Sequence, residues 1–208
     1  MKADSLRQLK KEATRKRLID VSLRLFQEKG FDNTTIDEIV HHADVSQRTF
    51  FRHFPTKEAI VFSEVRGRQA RFRQLLEADS ETVEPFDRVK HALVKTAAEY
   101  DRMSDQLLVE YRMVTSSKYL TTRDIEFDAV LEKTLVNTLL TYRGSRYLSR
   151  KEARIAAAAI FGAVRVLMDE WFQKECRHSL KSHARLCLSI VDMLAQGFNA
   201  RGAGPQNR

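Results

Sequence analysis

An all-α fold is predicted by three features of this 208-residue sequence. Only seven Gly and three Pro interrupt it, apolar residues recur at helical intervals along most of its length, and no stretch alternates with the period of a strand. The organisation expected is an N-terminal three-helix domain built on a helix-turn-helix (residues 1–56, with a basic arm), a C-terminal helical domain (57–200) and a disordered tail (201–208). With 43% hydrophobic and 31% charged residues, the composition is that of a globular chain, neither disordered nor of low complexity. The longest apolar run, Ile155 to Val164 with Gly162 included, is ten residues, half of what a bilayer crossing needs. The first residues, MKADSLRQLKKEATRKR, are charged throughout and have no apolar core of a secretory signal, so a cytoplasmic protein is expected. Two cysteines, Cys176 and Cys187, are too few for a disulfide framework.

The first helix carries Leu18, Val21, Leu25 and Phe26 at helical spacing and ends near Lys29, where Gly30 supplies a permissive backbone. The second opens at Thr35-Ile36-Asp37-Glu38, a capping box in which the Thr hydroxyl and the Glu carboxylate satisfy orphan amides reciprocally. Its apolar stripe is Ile36, Ile39, Val40 and Ala43. After a turn at Asp44-Val45, Ser46 offers an N-cap to a third helix, Gln47 to about His53. Two short helices joined by so tight a turn match the helix-turn-helix, whose second helix enters the major groove of DNA.

Charge supports a polyanionic partner. Residues 1–75 hold sixteen Lys/Arg against ten Asp/Glu, whereas the remainder holds twenty against eighteen. A solvated arm that keeps the protein soluble is the other reading of the basic cluster. In the third helix, Gln47, Arg48, Thr49 and Arg52 are types that hydrogen-bond base edges or phosphates, while Val45, Phe50 and Phe54 suit a small core. Phe51 and His53 fall at the rim facing the DNA backbone. Pro55 closes this helix, Thr56 can cap the next, and Lys57 lies in its first turn. A cation there opposes the helix dipole, which points to a phosphate nearby.

The strings Gly30-Phe31-Asp32-Asn33-Thr34-Thr35-Ile36-Asp37-Glu38-Ile39, Ala43-Asp44-Val45-Ser46-Gln47-Arg48-Thr49-Phe50-Phe51-Arg52-His53-Phe54 and Thr56-Lys57-Glu58-Ala59 resemble the DNA-binding domain of the TetR family of bacterial repressors. The likeness covers about residues 14 to 62. It implies a homodimeric, all-helical repressor that binds a pseudo-palindromic double-stranded operator and releases it when a small molecule enters the C-terminal domain. The DNA-contacting set it implies is Arg15, Lys16, Thr34, Thr35, Ser46, Gln47, Arg48, Thr49, Phe51, Arg52, His53 and Lys57. Phe51 stands where the family commonly has a phosphate-contacting Tyr. The segment Ser46 to Pro55 further resembles the members described as binding acyl-CoA-like ligands.

The rest reads as helices over Lys57–Leu76, Phe86–Met103, Asp105–Val114, Thr121–Tyr142, Arg150–Cys176 and Leu180–Asn199, with Ser149-Arg150-Lys151-Glu152 a second capping box. Ala156, Ala159, Gly162 and Ala163 on one helix, and Leu186, Ile190, Val191, Leu194 and Phe198 on another, suit a four-helix bundle across a two-fold axis, or else the chain's own core. Tyr100, Met103, Tyr111, Phe127, Phe161, Met168 and Trp171 are either ordinary core or the lining of a cavity for an apolar or amphipathic effector. Arg112 and Arg165, each inside an apolar run, would receive an anionic group on it or pair locally, Arg165 with Asp169.

No phosphate-binding Gly-rich loop, nucleophile elbow or metalloprotease His pair occurs, so neither an enzyme nor a cofactor is expected. Cys176, His178, His183 and Cys187 are zinc-ligand types at spacings that match no standard site, and no metal is expected. The alternative to a ligand-responsive repressor is a constitutive, non-sensing DNA-organising protein.

Overall fold

The computed structural model describes residues 2–78, 82–142 and 145–202; the side chains of residues 2–5, 127, 145–146 and 200–202 lie outside the description. In chain order the elements are α1 (Lys2–Lys29), α2 (Ile36–His42), α3 (Gln47–His53), α4 (Glu58–Val61), α5 (Ser63–Glu77), α6 (Pro85–Arg102), α7 (Ser104–Ser116), α8 (Lys118–Leu140), β1 (Thr141–Tyr142), β2 (Ser145–Arg146), α9 (Arg150–Gln173), α10 (Leu180–His183) and α11 (Arg185–Gly202). The fold is all-α, with one miniature hairpin pairing Thr141 with Arg146 and Tyr142 with Ser145. Two-residue strands are too short to leave any alternation in the sequence.

Several boundaries differ from the expected ones for local reasons. The basic arm is not a separate segment but the first turns of α1. The helix expected over 57–76 is two helices, because Ile60, Val61 and Phe62 are all buried, and three consecutive residues cannot share one face of a regular helix. The chain leaves the helix at Phe62 (φ −89°, ψ 11°) and resumes at Ser63. Helix α9 stops at Gln173 rather than Cys176, since Glu175 and Cys176 adopt left-handed φ of 54° and 56° without a glycine to signal it. Of the tail expected over 201–208, Arg201 and Gly202 are helical and 203–208 lie outside the described residues.

The chain divides into two compact units, residues 1–67 with 110–123, and residues 68–109 with 124–208. In the first, Leu18, Leu25, Ile39, Ala43, Phe50 and Leu120 are fully enclosed or nearly so. The α2 capping box is complete: Thr35 Oγ1 accepts from the Glu38 amide, and the Glu38 carboxylate accepts from the Thr35 amide at 3.0 Å. Such a cap contributes about 1 kcal/mol to a two-turn helix that could not persist alone.

In the second unit, α5, α6, α8, α9 and α11 enclose a core of Phe72, Leu76, Phe86, Val89, Leu135, Leu139, Ile160 and Val191, among others. Ala153, Ala156 and Ala157 are fully buried there, so Ala156 belongs to the internal packing. Leu194 packs against the same core, which removes it from the expected dimer face. Arg88, 5% exposed, donates to the carbonyls of Leu76 (2.8 Å) and Thr138 (3.4 Å), near the C-terminal ends of α5 and α8. Burial disfavours its charge, and the negative ends of two helix dipoles offset that cost. A smaller cluster of Ala97, Leu107, Trp171 and Leu180 lies around α10, whose first amides and Ser179 are bound by the Asp101 carboxylate.

Among the described residues, one face of the α9–α11 pair stays unpartnered. On α9 it carries Ile155 (55% exposed), Ala159, Gly162 and Val166; on α11 it carries Leu186, Ile190 and Met193. Both series step by four, three and four residues where they continue, which places each on one side of its helix. Ala163, one residue from Gly162, is half-buried beside this row.

Candidate nucleic-acid interface

The geometry begins at the turn between α2 and α3. Asp44 adopts φ of 50°, a left-handed conformation that Asp tolerates better than most residues, and the Val45 amide returns to the Val40 carbonyl at 3.1 Å. Ser46 then caps α3, its Oγ accepting from the Thr49 amide at 3.2 Å. Fully buried Phe50 and nearly buried Phe54 fasten the inner side of α3. Gln47, Arg48, Phe51 and Arg52 are exposed as a consequence.

These exposed residues do not share one state. The Gln47 side-chain amide donates to the Asp37 carboxylate, so it braces α3 against α2. Arg48 and Arg52, four apart and therefore on one face, make no hydrogen bond or ion pair among the described residues. Phe51, 49% exposed, sets its ring nearly perpendicular to that of Phe50 at 5.4 Å and presents an apolar edge where a hydroxyl would otherwise stand. From α1, Lys16 is exposed, and the Arg15 guanidinium lies over the Phe54 ring at 5.3 Å, a cation–π contact that holds it beside α3. His53 Nε2 is buried without a partner, and burial first, then Arg52, Lys11 and Arg15, hold the imidazole pKa below its usual 6.5.

Three expected DNA contacts are corrected. Thr34 is 1% exposed and its hydroxyl donates to the Gly30 carbonyl at 2.9 Å, so it is a turn-closing residue out of reach of a ligand. Thr35 has its hydroxyl engaged in the α2 cap, although its surface is exposed. Lys57 points inward: Nζ donates to the carbonyls of Phe31 (2.6 Å) and Thr34 (2.7 Å) and sits 4.2 Å from the centre of the Phe31 ring. Burial lowers its pKa, and the cation that a phosphate was to explain is held by the protein itself.

The Phe31 ring has a further partner that no local pattern announces. Tyr119, from α8, stacks on it at 6.3 Å with planes 6° apart and donates its hydroxyl to Glu58 at 2.7 Å. Beside it, Ser117, 1% exposed, donates to Asp32 at 2.9 Å. Residues 110–123 thus complete the unit that carries α3. The basic spacing of Lys11 and Arg15 is readable as one helix face, but the pairing of Tyr119 with Phe31, 88 positions apart in the chain, leaves no signal.

In the second unit the expected effector residues fall into two separate clusters. Trp171 is 2% exposed, its indole N–H donates to the His178 carbonyl at 2.7 Å, and Tyr100, Met103 and Met168 pack in the same small cluster. Phe161 packs against the larger core instead. Tyr111 and Arg112 fall in the first unit, and Phe127 lies in α8 with its side chain outside the described residues. Arg165 is exposed, not buried in its apolar run; it bears on Asp128, whose carboxyl is pushed up to about 6 by burial and by Asp124, against Arg165. Among the described residues no three His, Cys, Asp or Glu side chains gather as a metal set, and no helix is long and apolar enough to cross a membrane.

A short capped helix projecting free arginines, braced by a second helix across a tight turn, is a helix-turn-helix DNA reader. Residues 18–63 match the family model of bacterial regulatory proteins of the tetR family. TcmR, an HTH-type transcriptional regulator of Streptomyces glaucescens, is 39% identical over 72 residues, 35% of this chain and 32% of TcmR. The chain thus spans about a third of TcmR, whereas an HTH-type transcriptional regulator of Haemophilus influenzae is 26% identical over 92% of this chain and 93% of its own. The fold of Thermus thermophilus FadR, a TetR-family repressor solved with lauroyl-CoA, superposes with a TM-score of 0.53 at 22% identity, covering 93% of this chain and all of FadR. Residues 18–63 thus carry the DNA-binding domain of the tetR family of bacterial regulatory proteins.

Proposed function

We propose that the protein is a ligand-responsive repressor that grips a pseudo-palindromic operator as a homodimer and lets go when a small molecule binds its C-terminal helices. The observation that carries the DNA half is the pair Arg48 and Arg52, exposed and unbonded on one face of a capped helix whose other face is locked by Phe50. An unbonded guanidinium on a recognition helix is ready to fork onto guanine O6 and N7, and it surrenders no internal contact to do so. Arg48→Ala is expected to relax the preferred sequence at one position of each half-site, losing roughly 1–3 kcal/mol of discrimination. Selection from a random-sequence library reads this directly; unchanged preference and affinity mean that α3 is not the reader.

Two readers at fixed spacing require a dimer, and the α9–α11 face supplies the surface. Ile155, Val166, Leu186 and Met193 are each more than half exposed in the single chain, a row of apolar side chains that a second copy would cover. A Cβ added at Gly162 meets nothing within 4 Å in the chain, so Gly162→Leu starts into open space in the protomer and even favours its helix. It crowds the partner instead. The dimer is expected to weaken by roughly 1–3 kcal/mol, about 5- to 150-fold in dissociation constant. Sedimentation of wild type and variant decides it: a monomeric wild type at micromolar concentration removes the interface, and an unaffected variant dimer places it elsewhere.

An effector acts only if it prefers the state that no longer fits DNA. The chain crosses between the units three times, within α5 at Gly67–Arg68, within α7 at Val109–Glu110 and within α8 at Arg123–Asp124, and the last two crossings flank Ser117 and Tyr119. The FadR complex makes an acyl-CoA the first probe, an amphipathic molecule with an anionic end. A typical coupling of about 1–3 kcal/mol weakens operator binding roughly 5- to 150-fold, and operator must weaken ligand binding by the same factor. Calorimetry with lauroyl-CoA, with and without saturating operator, measures that reciprocity. Equal affinities dismiss it as an inducer, and a broad screen without any inducer favours a constitutive DNA-organising role.

A further inference from the structure

We propose that Lys11, Arg15 and Arg52 form a clamp for one backbone phosphate around His53, and that closing this clamp on DNA draws a proton onto His53, so that DNA binding tightens as pH falls. The inference rests on the DNA-binding reading and adds a regulation that the reading does not contain. Its basis is an arrangement of side chains from two helices. Lys11 and Arg15, one turn apart on α1, and Arg52, next to His53 on α3, are the charged groups that bear on the imidazole, and all three are cations. Arg15 is anchored there by the Phe54 ring at 5.3 Å, while Lys11 and Arg52 are exposed. None of the three makes an ion pair with a carboxylate among the described residues. Three cations that bear on one imidazole, none of them paired with a carboxylate among the described residues, leave a positive site that a phosphodiester would neutralise.

His53 makes that site proton-linked. Its Nε2 is buried with no acceptor in reach, so a protonated ring places a donor where nothing receives it, beside three positive charges. The free protein therefore keeps the ring neutral near neutral pH. A phosphate seated among the cations cancels the repulsion that they exert, the imidazole pKa rises, and binding takes up a proton in the interval between the free and bound values. Each unit of that rise strengthens binding up to about tenfold per reader at acidic pH. Unfolding acts in the opposite sense. A His with a depressed pKa in the fold contributes stability above its unfolded value of about 6.5 and loses it as pH falls, so acid-tightened binding cannot come from loss of structure.

The test uses the full chain and a duplex of about 30 base pairs of mixed sequence at fixed low ionic strength, because a phosphate contact needs no particular operator. Anisotropy titrations from about pH 8 to about pH 6 are expected to show affinity rising as pH falls, with the rise much reduced in His53→Gln. His41 and His42, exposed on α2, are present in both proteins and set the baseline. NMR titration of the wild-type His53 ring provides a readout independent of any variant: its pKa should be lower free than DNA-bound, and Lys11→Gln with Arg15→Gln should raise the free value. A slope that persists in His53→Gln, or equal pKa values free and bound, overturns the inference. No binding of the wild type to any duplex at any pH defeats the DNA-binding reading itself.

Discussion

The Phe31 ring is the contact on which the architecture of the reading unit depends. It closes the turn after α1, meets Phe26 edge-on at 5.1 Å, carries the Lys57 ammonium 4.2 Å from its centre and stacks with Tyr119 from α8. The Lys57 ammonium also binds the carbonyls of Phe31 and Thr34, fixing the backbone of that turn, and Thr34 closes it from within. Because α2 is capped by the very next residue, Thr35, the same turn sets where the helix-turn-helix begins. Breaking one contact of such a shared set loosens the rest, since each holds its partners in place for the others.

From that base the recognition surface follows by elimination of alternatives. Ser46 satisfies the first amides of α3, Asp44 gives the turn its left-handed step, Phe50 and Phe54 hold the inner side, and Gln47 ties α3 to α2. What remains on the outer side is Phe51 and two unbonded cations, Arg48 and Arg52. The polar types along α3 therefore divide into bracing (Ser46, Gln47, Thr49) and unbonded, exposed arginines (Arg48, Arg52), a division set by geometry within a single stretch of sequence.

Much of this is legible in the amino-acid sequence, because it is encoded locally. Thr35 with Glu38, Ser46 before α3 and Ser149 with Glu152 are fixed-offset signals, and all three caps form. The helical class follows equally from spacing and scarce breakers. Illegible features depend on distant partners: Lys57 reads as a phosphate ligand until the carbonyls of Phe31 and Thr34 are seen to hold it, and Leu194 reads as an outer seam until the core beneath it is known. Ile155, Val166 and Met193 escape a sequence reading for the reverse reason, since only burial tells an outward apolar residue from an inward one on a helix rich in both. The aromatic set expected to line one pocket is dispersed, and helical spacing cannot show that Trp171 and Phe161 belong to different clusters.

The central claim is that Ser117, at the α7–α8 junction, and Tyr119 of α8 hold the turn that positions the DNA reader. Amide hydrogen exchange in Tyr119→Ala measures it most directly, at the Gly30 and Thr34 amides, which bond the carbonyls of Phe26 and Phe31. Loss of the stack is predicted to accelerate exchange at both amides by about tenfold for each 1.4 kcal/mol removed, while amides of α9, in the other unit, keep their protection. Unchanged protection at Gly30 and Thr34 would contradict the account.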